Sequence, residues 1–349
     1  MNLHKLIQTH LMQRSWLSYT LYPLGFMYAR VQKHRRRKWQ NKAWEAPCKV
    51  ISVGNLVSGG SGKTPLTIAL AKLLQEAGYR VGISHRGYKG EFENSAMLIN
   101  EAGKILYPAW QCGDEAYMIA TALPSLPVVV GRNRIAAIKL LLRKHPHLDF
   151  VIMDDALQHV MVKRQLDIVS FSAINGIGNG FVLPAGYLRE PLASLGAQSL
   201  AVVYHQDSCA SEPVWVETLR RHGINIIHSY STPHSCCDAC GNSYPLDSLR
   251  EKRLILVSGI AHPDSFEQCV RKLGLGYGRH FRYPDHYSFT DSKLSEELCL
   301  EQPDTILCTQ KDLMKLAVHE RLKPRLRALV LDYEFCEPDL VLKACLGSE

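Results

Sequence analysis

Acidic residues are almost missing from the first 45 positions: Glu45 is the single one, against Lys5, Arg14, Arg30, Lys33, Arg35, Arg36, Arg37, Lys38 and Lys42. This arm therefore carries the whole formal net charge of +8, and the other 304 residues balance at 32 basic against 32 acidic side chains. Such a body has no net basic charge with which to track nucleic acid. A disulfide framework is missing too. The 11 cysteines (48, 112, 209, 236, 237, 240, 269, 299, 308, 336 and 345) form an odd, scattered set, which fits a reducing compartment and mostly buried thiols. The arm also lacks a span: residues 15–29 carry no charge, but 15 helical residues reach only about 22 Å against a hydrocarbon core of roughly 30 Å, and Pro23 interrupts them. No small-x-small cleavage site follows, and the next residues are strongly basic, which argues against a secretory signal.

What remains is a chain of 349 residues, 46% apolar and 21% charged, read as a folded α/β protein of two ordinary domains. Its clearest stretch runs over 49–77. The apolar run Lys49-Val50-Ile51-Ser52-Val53 stops at Gly54-Asn55, passes through Gly59-Gly60-Ser61-Gly62-Lys63-Thr64, and a helix is expected from Pro65. A strand, a glycine-rich loop and a helix make a phosphate cradle in which backbone N–H groups and the helix N-terminus meet the oxygens. Lys63 then reaches the β/γ-phosphates and Thr64 holds Mg²⁺. Val57 stands where the strict phosphate-loop pattern has glycine, and the three crowded glycines outweigh that departure.

Strands are expected at 80–84, 128–130, 150–155, 166–171 and 199–204, alternating with helices, the mark of a mostly parallel sheet with helices on both faces. Ligands of such sheets lie at the carboxyl ends of the strands. Polar clusters fall there: Arg86, Arg132 and Arg134, and the pair Asp154-Asp155, which suits Mg²⁺ better than a helix cap once a phosphate loop lies upstream. Arginines beside such a loop suggest a second, anionic substrate. Between 209 and 250 the alternation lapses into a connecting β hairpin, where Cys236, Cys237 and Cys240 offer half a zinc knuckle without a second pair. A second, smaller α/β domain is expected over 251–349, after an arm at 1–45 and a nucleotide-binding domain at 46–208. Thr309-Gln310-Lys311-Asp312 lacks the spacing of a guanine reader, so GTP specificity does not follow. In the arm, three tyrosines and Trp16 followed by Arg35-Arg36-Arg37-Lys38 suit a membrane surface with anionic lipid better than nucleic acid; a helix packed on the body, with a solvated basic tail, is compatible with the membrane reading.

Taken in order, these motifs resemble the tetraacyldisaccharide 4′-kinase family of the lipid A pathway. The resemblance rests on Gly59 to Pro65, Arg86-Gly87-Tyr88, Gly113-Asp114-Glu115, Gly131-Arg132-Asn133-Arg134 and Asp154-Asp155-Ala156-Leu157-Gln158-His159. It continues through Leu183-Pro184-Ala185-Gly186, Leu188-Arg189-Glu190-Pro191 and Pro284-Asp285-His286. It implies ATP-dependent phosphorylation of the 4′-hydroxyl of a tetraacylated glucosamine disaccharide 1-phosphate, giving lipid IVA. The implied setting is the cytoplasmic face of the inner membrane, with an N-terminal membrane-associated helix. It further implies Asp114 as the base with His286 as its partner, and Thr64, Glu115, Asp154 and Asp155 around Mg²⁺. Thr309, Lys311 and Asp312 join the loop in holding the nucleotide, and Asn55, Arg86, Arg132, Arg134, Gln158, His159 and Arg189 face the sugar phosphate. Ala156 stands where glycine is usual, so its Cβ is expected to narrow the floor of the site. His85 replaces a small residue, and Gln310 an acid. The rivals are a phosphate-loop metallochaperone or regulatory NTPase using the cysteine cluster, and a membrane-associated module that binds nucleotide without catalysis.

Overall fold

The structure is a computed structural model and describes residues 9–40, 42–57, 62–196, 198–205, 211–260, 263–285, 287–291 and 293–347. Gly59, Gly60, Ser61 and His286 lie outside the described residues. The chain divides into two compact units, 1–230 with 334–349, and 231–333.

In the first unit, helix α1 (Trp16–Gln40) precedes strand β1 (Lys49–Gly54), helix α2 (Lys63–Glu76) and strand β2 (Val81–His85). Helix α3 (Asp114–Ala122), strand β3 (Val128–Val130), helix α4 (Arg134–Lys144) and strands β4 (Phe150–Met153), β5 (Leu166–Ser172) and β6 (Ser199–His205) follow. The strands are short, valine- and isoleucine-rich and buried on both faces, as a sheet covered by helices requires. Their order is β3-β2-β4-β1-β5-β6, all parallel, extended beyond β6 by residues 225–230 in parallel. Ser52 of β1 and Ser84 of β2 both lie abreast of Met153, so three strands end together and release Asn55, Arg86 and Asp154 at one edge. Helix Pro338–Leu346 belongs to this first unit, where the sequence reading had it in the second domain. Lys49 Nζ donates to the Leu346 carbonyl at 2.7 Å, and Gln165 Nε2 to that of Cys345 at 3.2 Å.

α1 is continuous over 25 residues, and Pro23 lies inside it rather than interrupting it. Its inner stripe, Ser18, Leu21, Gly25, Ala29, Gln32 and Arg36, recurs at three- and four-residue spacing and is buried or half-buried. The stripe is mostly small and polar. A Cβ on Gly25 would meet the Val182 carbonyl at 2.8 Å, and Asn179 Nδ2 donates to Ser18 Oγ at 3.2 Å and to the His10 carbonyl at 3.2 Å. Tyr19 and Tyr22 set their ring edges on Phe181. This close seat carries the helix through Pro23, whose usual penalty is about 3 kcal/mol. The outer face holds the large apolar side chains: Trp16 is 77% exposed, Met27 64% and Val31 65%. Among the described residues, no helix is long and apolar enough to cross a membrane.

The second unit has strands His280–Arg282, Leu254–Ser258, Thr305–Thr309 and the segment from Leu326 side by side in parallel. A hairpin pairs Ser235 with Pro245 and Cys237 with Ser243.

Candidate active site

The site assembles where β1, β4 and β2 end. Gly54 lets the loop after β4 lie against the end of β1: a Cβ there would meet Leu157 Cβ at 2.5 Å and the Leu157 nitrogen at 2.9 Å. Gly62 takes φ 73° and caps α2, which starts two residues before Pro65 because Lys63 and Thr64 already form its first turn. Lys63 Nζ then stands 3.7 Å from Asp155 Oδ1, and Thr64 is buried at the mouth of the helix. Asp155 has φ 46°, the left-handed region that Asp tolerates better than most residues.

Asp154 is fully enclosed. Its Oδ1 accepts from Thr67 Oγ1 at 2.7 Å, and among the described residues its Oδ2 has no hydrogen-bond partner. Burial pushes its carboxyl above the usual carboxylate range, Glu115 and Asp155 add to that, and His85 and Thr67 pull it back. His85 is itself buried. Its Nδ1 accepts the Gly87 amide at 2.9 Å, so the neutral ring carries its hydrogen on Nε2, facing Glu115 Oε2 at 3.5 Å and Asp154 Oδ2 at 3.7 Å. α2, β4, β2 and α3 thus contribute a contiguous group of charges.

The arginines divide by burial. Arg134 is 3% exposed and donates to the Asp154 carbonyl at 2.5 Å and to Ser84 Oγ at 3.4 Å; burial lowers its pKa to about 10 against the opposing pull of Asp154 and Asp155. Arg86 and Arg132 are exposed on the rim, Arg86 Nε donating to Glu93 Oε1 at 2.8 Å and the Arg132 amide to the Glu93 carbonyl at 2.6 Å. Asp114 is exposed in the first turn of α3, capped by Gly113 at φ 87°; a Cβ on Gly113 would meet the Tyr88 carbonyl at 2.9 Å, so the Arg86-Gly87-Tyr88 turn abuts this helix start. Gln158 Nε2 donates to the Asn55 carbonyl at 3.0 Å, and the Arg189 amide to that of Leu56 at 2.6 Å. Burial depresses His159 to about 4, helped by Arg134, Arg164 and Arg35. Ala156 is 1% exposed and packs with Val50, Met153 and Val162, so its methyl group enters the core and does not narrow the site.

On the second unit, Asp312 Oδ2 accepts from Thr309 Oγ1 at 2.7 Å and from the Gly259 amide at 3.0 Å, while Lys311 Nζ meets Asp285 Oδ1 at 3.0 Å. Ser258 Oγ lies 2.9 Å from His280 Nε2, and His280 Nδ1 3.3 Å from Glu267 Oε2. That is the order of a hydrolase triad, but Ser258 is fully buried and the chain of bonds acts as a strut. Among the described residues, no three His, Cys, Asp or Glu side chains stand as a metal-holding group.

The description of the family model that matches residues 17–346 is "LpxK: Tetraacyldisaccharide-1-P 4'-kinase". The chain belongs to the tetraacyldisaccharide 4′-kinase family. It is 32% identical over 335 residues to the tetraacyldisaccharide 4′-kinase of Pelobacter propionicus, covering 91% of this chain and 90% of that one. It is 32% identical over 348 residues to that of Chromobacterium violaceum, covering 96% of each. The crystal structure of "apo" form LpxK from Aquifex aeolicus in complex with ATP matches it with a TM-score of 0.77 at 29% identity, covering 93% of this chain and 98% of that one. As a tetraacyldisaccharide 4′-kinase the chain is an enzyme, a phosphotransferase, and the metallochaperone reading is not favoured.

Several side chains that build this candidate site carry no motif of their own. Thr67 lies one helical turn past Thr64 on the same face, and that spacing is the signal that points to it. His85 stands out only as a departure from the family pattern. Arg164 reaches the loop after β4 through side-chain bonds to the carbonyls of Ala156 and His159, which no local sequence pattern announces.

Proposed function

We propose that the chain transfers the γ-phosphate of ATP, with Mg²⁺, to the 4′-hydroxyl of a tetraacylated glucosamine disaccharide 1-phosphate, working peripherally at the cytoplasmic face of the inner membrane. The observation that carries this reading is the meeting of Lys63 and Asp155 at 3.7 Å, a phosphate-binding cation and a carboxylate brought to one edge from separate elements. Phosphoryl transfer needs positioning and charge neutralisation more than covalent chemistry. Gly59, Gly60, Ser61 and Gly62 cradle the triphosphate, and Lys63 neutralises its outer oxygens. Thr64, Asp154, Asp155 and Glu115 are the hard oxygen donors at this edge; among the described residues they do not form a ready-made metal-holding group, so Mg²⁺ would be held by one or two of them together with the nucleotide phosphates, and Asp154 Oδ2, buried without a hydrogen-bond partner among the described residues, fits that use. The ion, when bound, supplies charge stabilisation on the transferring phosphate.

Asp114 accepts the hydroxyl proton as transfer proceeds. Exposure of Asp114 at a helix start leaves it open to a sugar alcohol arriving from outside. Arg86 and Arg132 meet the anionic acceptor at the rim with Arg189, Gln158, His159 and Asn55, while buried Arg134 serves it by holding the Asp154 carbonyl.

The acceptor's acyl chains keep it in the bilayer, at about 0.8 kcal/mol for each buried CH₂. α1 suits that constraint: it turns its small, polar stripe inward and Trp16, its tyrosines, Phe26 and Met27 outward, the reverse of a helix built for water. Lys33, Arg35, Arg37 and Lys38 then meet anionic headgroups. The test is transfer of labelled phosphate from ATP to the tetraacyldisaccharide 1-phosphate in mixed micelles. Hydrolysis of ATP with no labelled lipid would reject the reading.

A further inference from the structure

α1 reaches the carboxylate loop through Arg36. Arg36, on the inner stripe, donates from Nε to Glu190 Oε2 at 2.7 Å and from Nη2 to the Leu157 carbonyl at 3.3 Å. Glu190 is 2% exposed. From the body, Arg164 donates through Nη1 to the same Leu157 carbonyl at 3.0 Å, to that of Ala156 at 3.2 Å and to that of His159 at 3.4 Å. Its Nε lies 3.2 Å from Asp167 Oδ1, which is buried as well. Two guanidinium groups therefore grip residues 156–159, immediately after Asp154 and Asp155, and one of the two belongs to α1.

A buried ion pair of this kind is a poor source of stability, because desolvation cancels most of its attraction. An apolar pair would fasten α1 to the body at least as firmly. What the guanidinium adds is direction: its planar fork reaches a carboxylate and a carbonyl at once, in fixed geometry. Arg36 also bonds a backbone atom of the loop itself, so a shift of α1 is transmitted to the turn that follows Asp155.

We infer that Arg36 is a positioning residue for phosphoryl transfer, linking the seat of α1 to the placement of Asp154 and Asp155. Engagement of lipid by the outer face of α1 and alignment of the carboxylates are then coupled events. The inference rests on the kinase reading above and deepens it.

The experiment uses the full chain in mixed micelles with ATP, Mg²⁺ and the disaccharide 1-phosphate, comparing wild type with Arg36→Ala, Arg36→Lys, Glu190→Gln and the double variant Arg36→Ala/Glu190→Gln. Rates are taken per ATP-binding site, so that a loss of folded protein is not read as a loss of kcat. In Arg36→Ala, kcat is expected to fall tenfold or more, with KM for both substrates within about threefold and sedimentation with anionic vesicles unchanged. Arg36→Lys, which keeps the charge without the fork, is expected to recover only part of the rate. The double variant is expected to be no slower than the worse single one. A kcat per binding site within twofold of wild type in Arg36→Ala, or full recovery in Arg36→Lys, would overturn the inference. Absence of lipid phosphorylation by the wild type would instead overturn the kinase reading.

Discussion

Lys63 Nζ and Asp155 Oδ1 face each other at 3.7 Å, the amine at the start of α2 and the carboxylate just beyond β4. The carboxylate side chain is 39% exposed, so solvent screens the pair and its contribution to stability is about 0–1 kcal/mol. In the proposed reaction it parks the amine where phosphate oxygens arrive. Lys63→Met should therefore leave the denaturation midpoint nearly unchanged while kcat falls by roughly 10²–10³, the usual cost of one electrostatic donor.

Asp114 is at a helix start that abuts the Arg86-Gly87-Tyr88 turn, and proton transfer by a positioned base is worth about 10²–10⁴ in rate. Asp114→Ala should lose that factor in turnover while calorimetry shows ATP binding intact. Turnover at the wild-type rate would remove Asp114 from the role of base.

His159 ties stability to pH. Its ring is held near 4 in the fold against an ordinary 6.5, so between those values the unfolded chain binds a proton that the native state refuses. Stability from this residue is fully present above 6.5 and is lost as pH falls toward 4. His159→Gln should flatten the dependence of melting temperature on pH within that window, and an unchanged slope would contradict the assignment.

The outer face of α1 makes a prediction of its own. Replacing Tyr22, Phe26 and Met27 with serine should release the protein from anionic vesicles while ATP binding in buffer persists. Changing Lys33, Arg35, Arg37 and Lys38 to glutamine should cost about 1 kcal/mol of vesicle affinity per cation, and the remaining binding should lose its sensitivity to salt.

Gly54→Ala tests the seam between β1 and the carboxylate loop. The added methyl group would fall 2.5 Å from Leu157 Cβ, so the loop has to move. Overpacking of this kind destabilises by about 1–3 kcal/mol, measurable in urea, and the shifted loop should lower kcat as well.

Much of this was readable from the chain because the information is local. The β1 run and the polar clusters after β1, β2 and β4 are set by short-range chemistry, and a parallel sheet brings strand ends together without further instruction. What escaped depends on packing. Pro23 looks like an interruption until the stripe of Ser18, Gly25 and Ala29 is seen seated on residues 179–185. Arg134 looks like its neighbour Arg132, and only the depth of α4 against β2 buries one and exposes the other. Ala156 resembles a departure within a motif, yet it is buried in one cluster with Val50, Met153 and Val162, which only the packed fold reveals. Arg36 is one of four consecutive cations, and helical phase alone singles it out.

Helix Pro338–Leu346 has a consequence for how the protein is made. Val341 and Cys345 are fully buried in the first unit, yet the ribosome delivers them only after residues 231–333 have been synthesised. Throughout that interval the nascent first unit lacks the side chains of Val341 and Cys345 that this helix buries against it. Premature termination just ahead of Pro338 would leave every residue of the proposed site in the chain and yet strip this cover from the unit that carries Lys63 and Asp154.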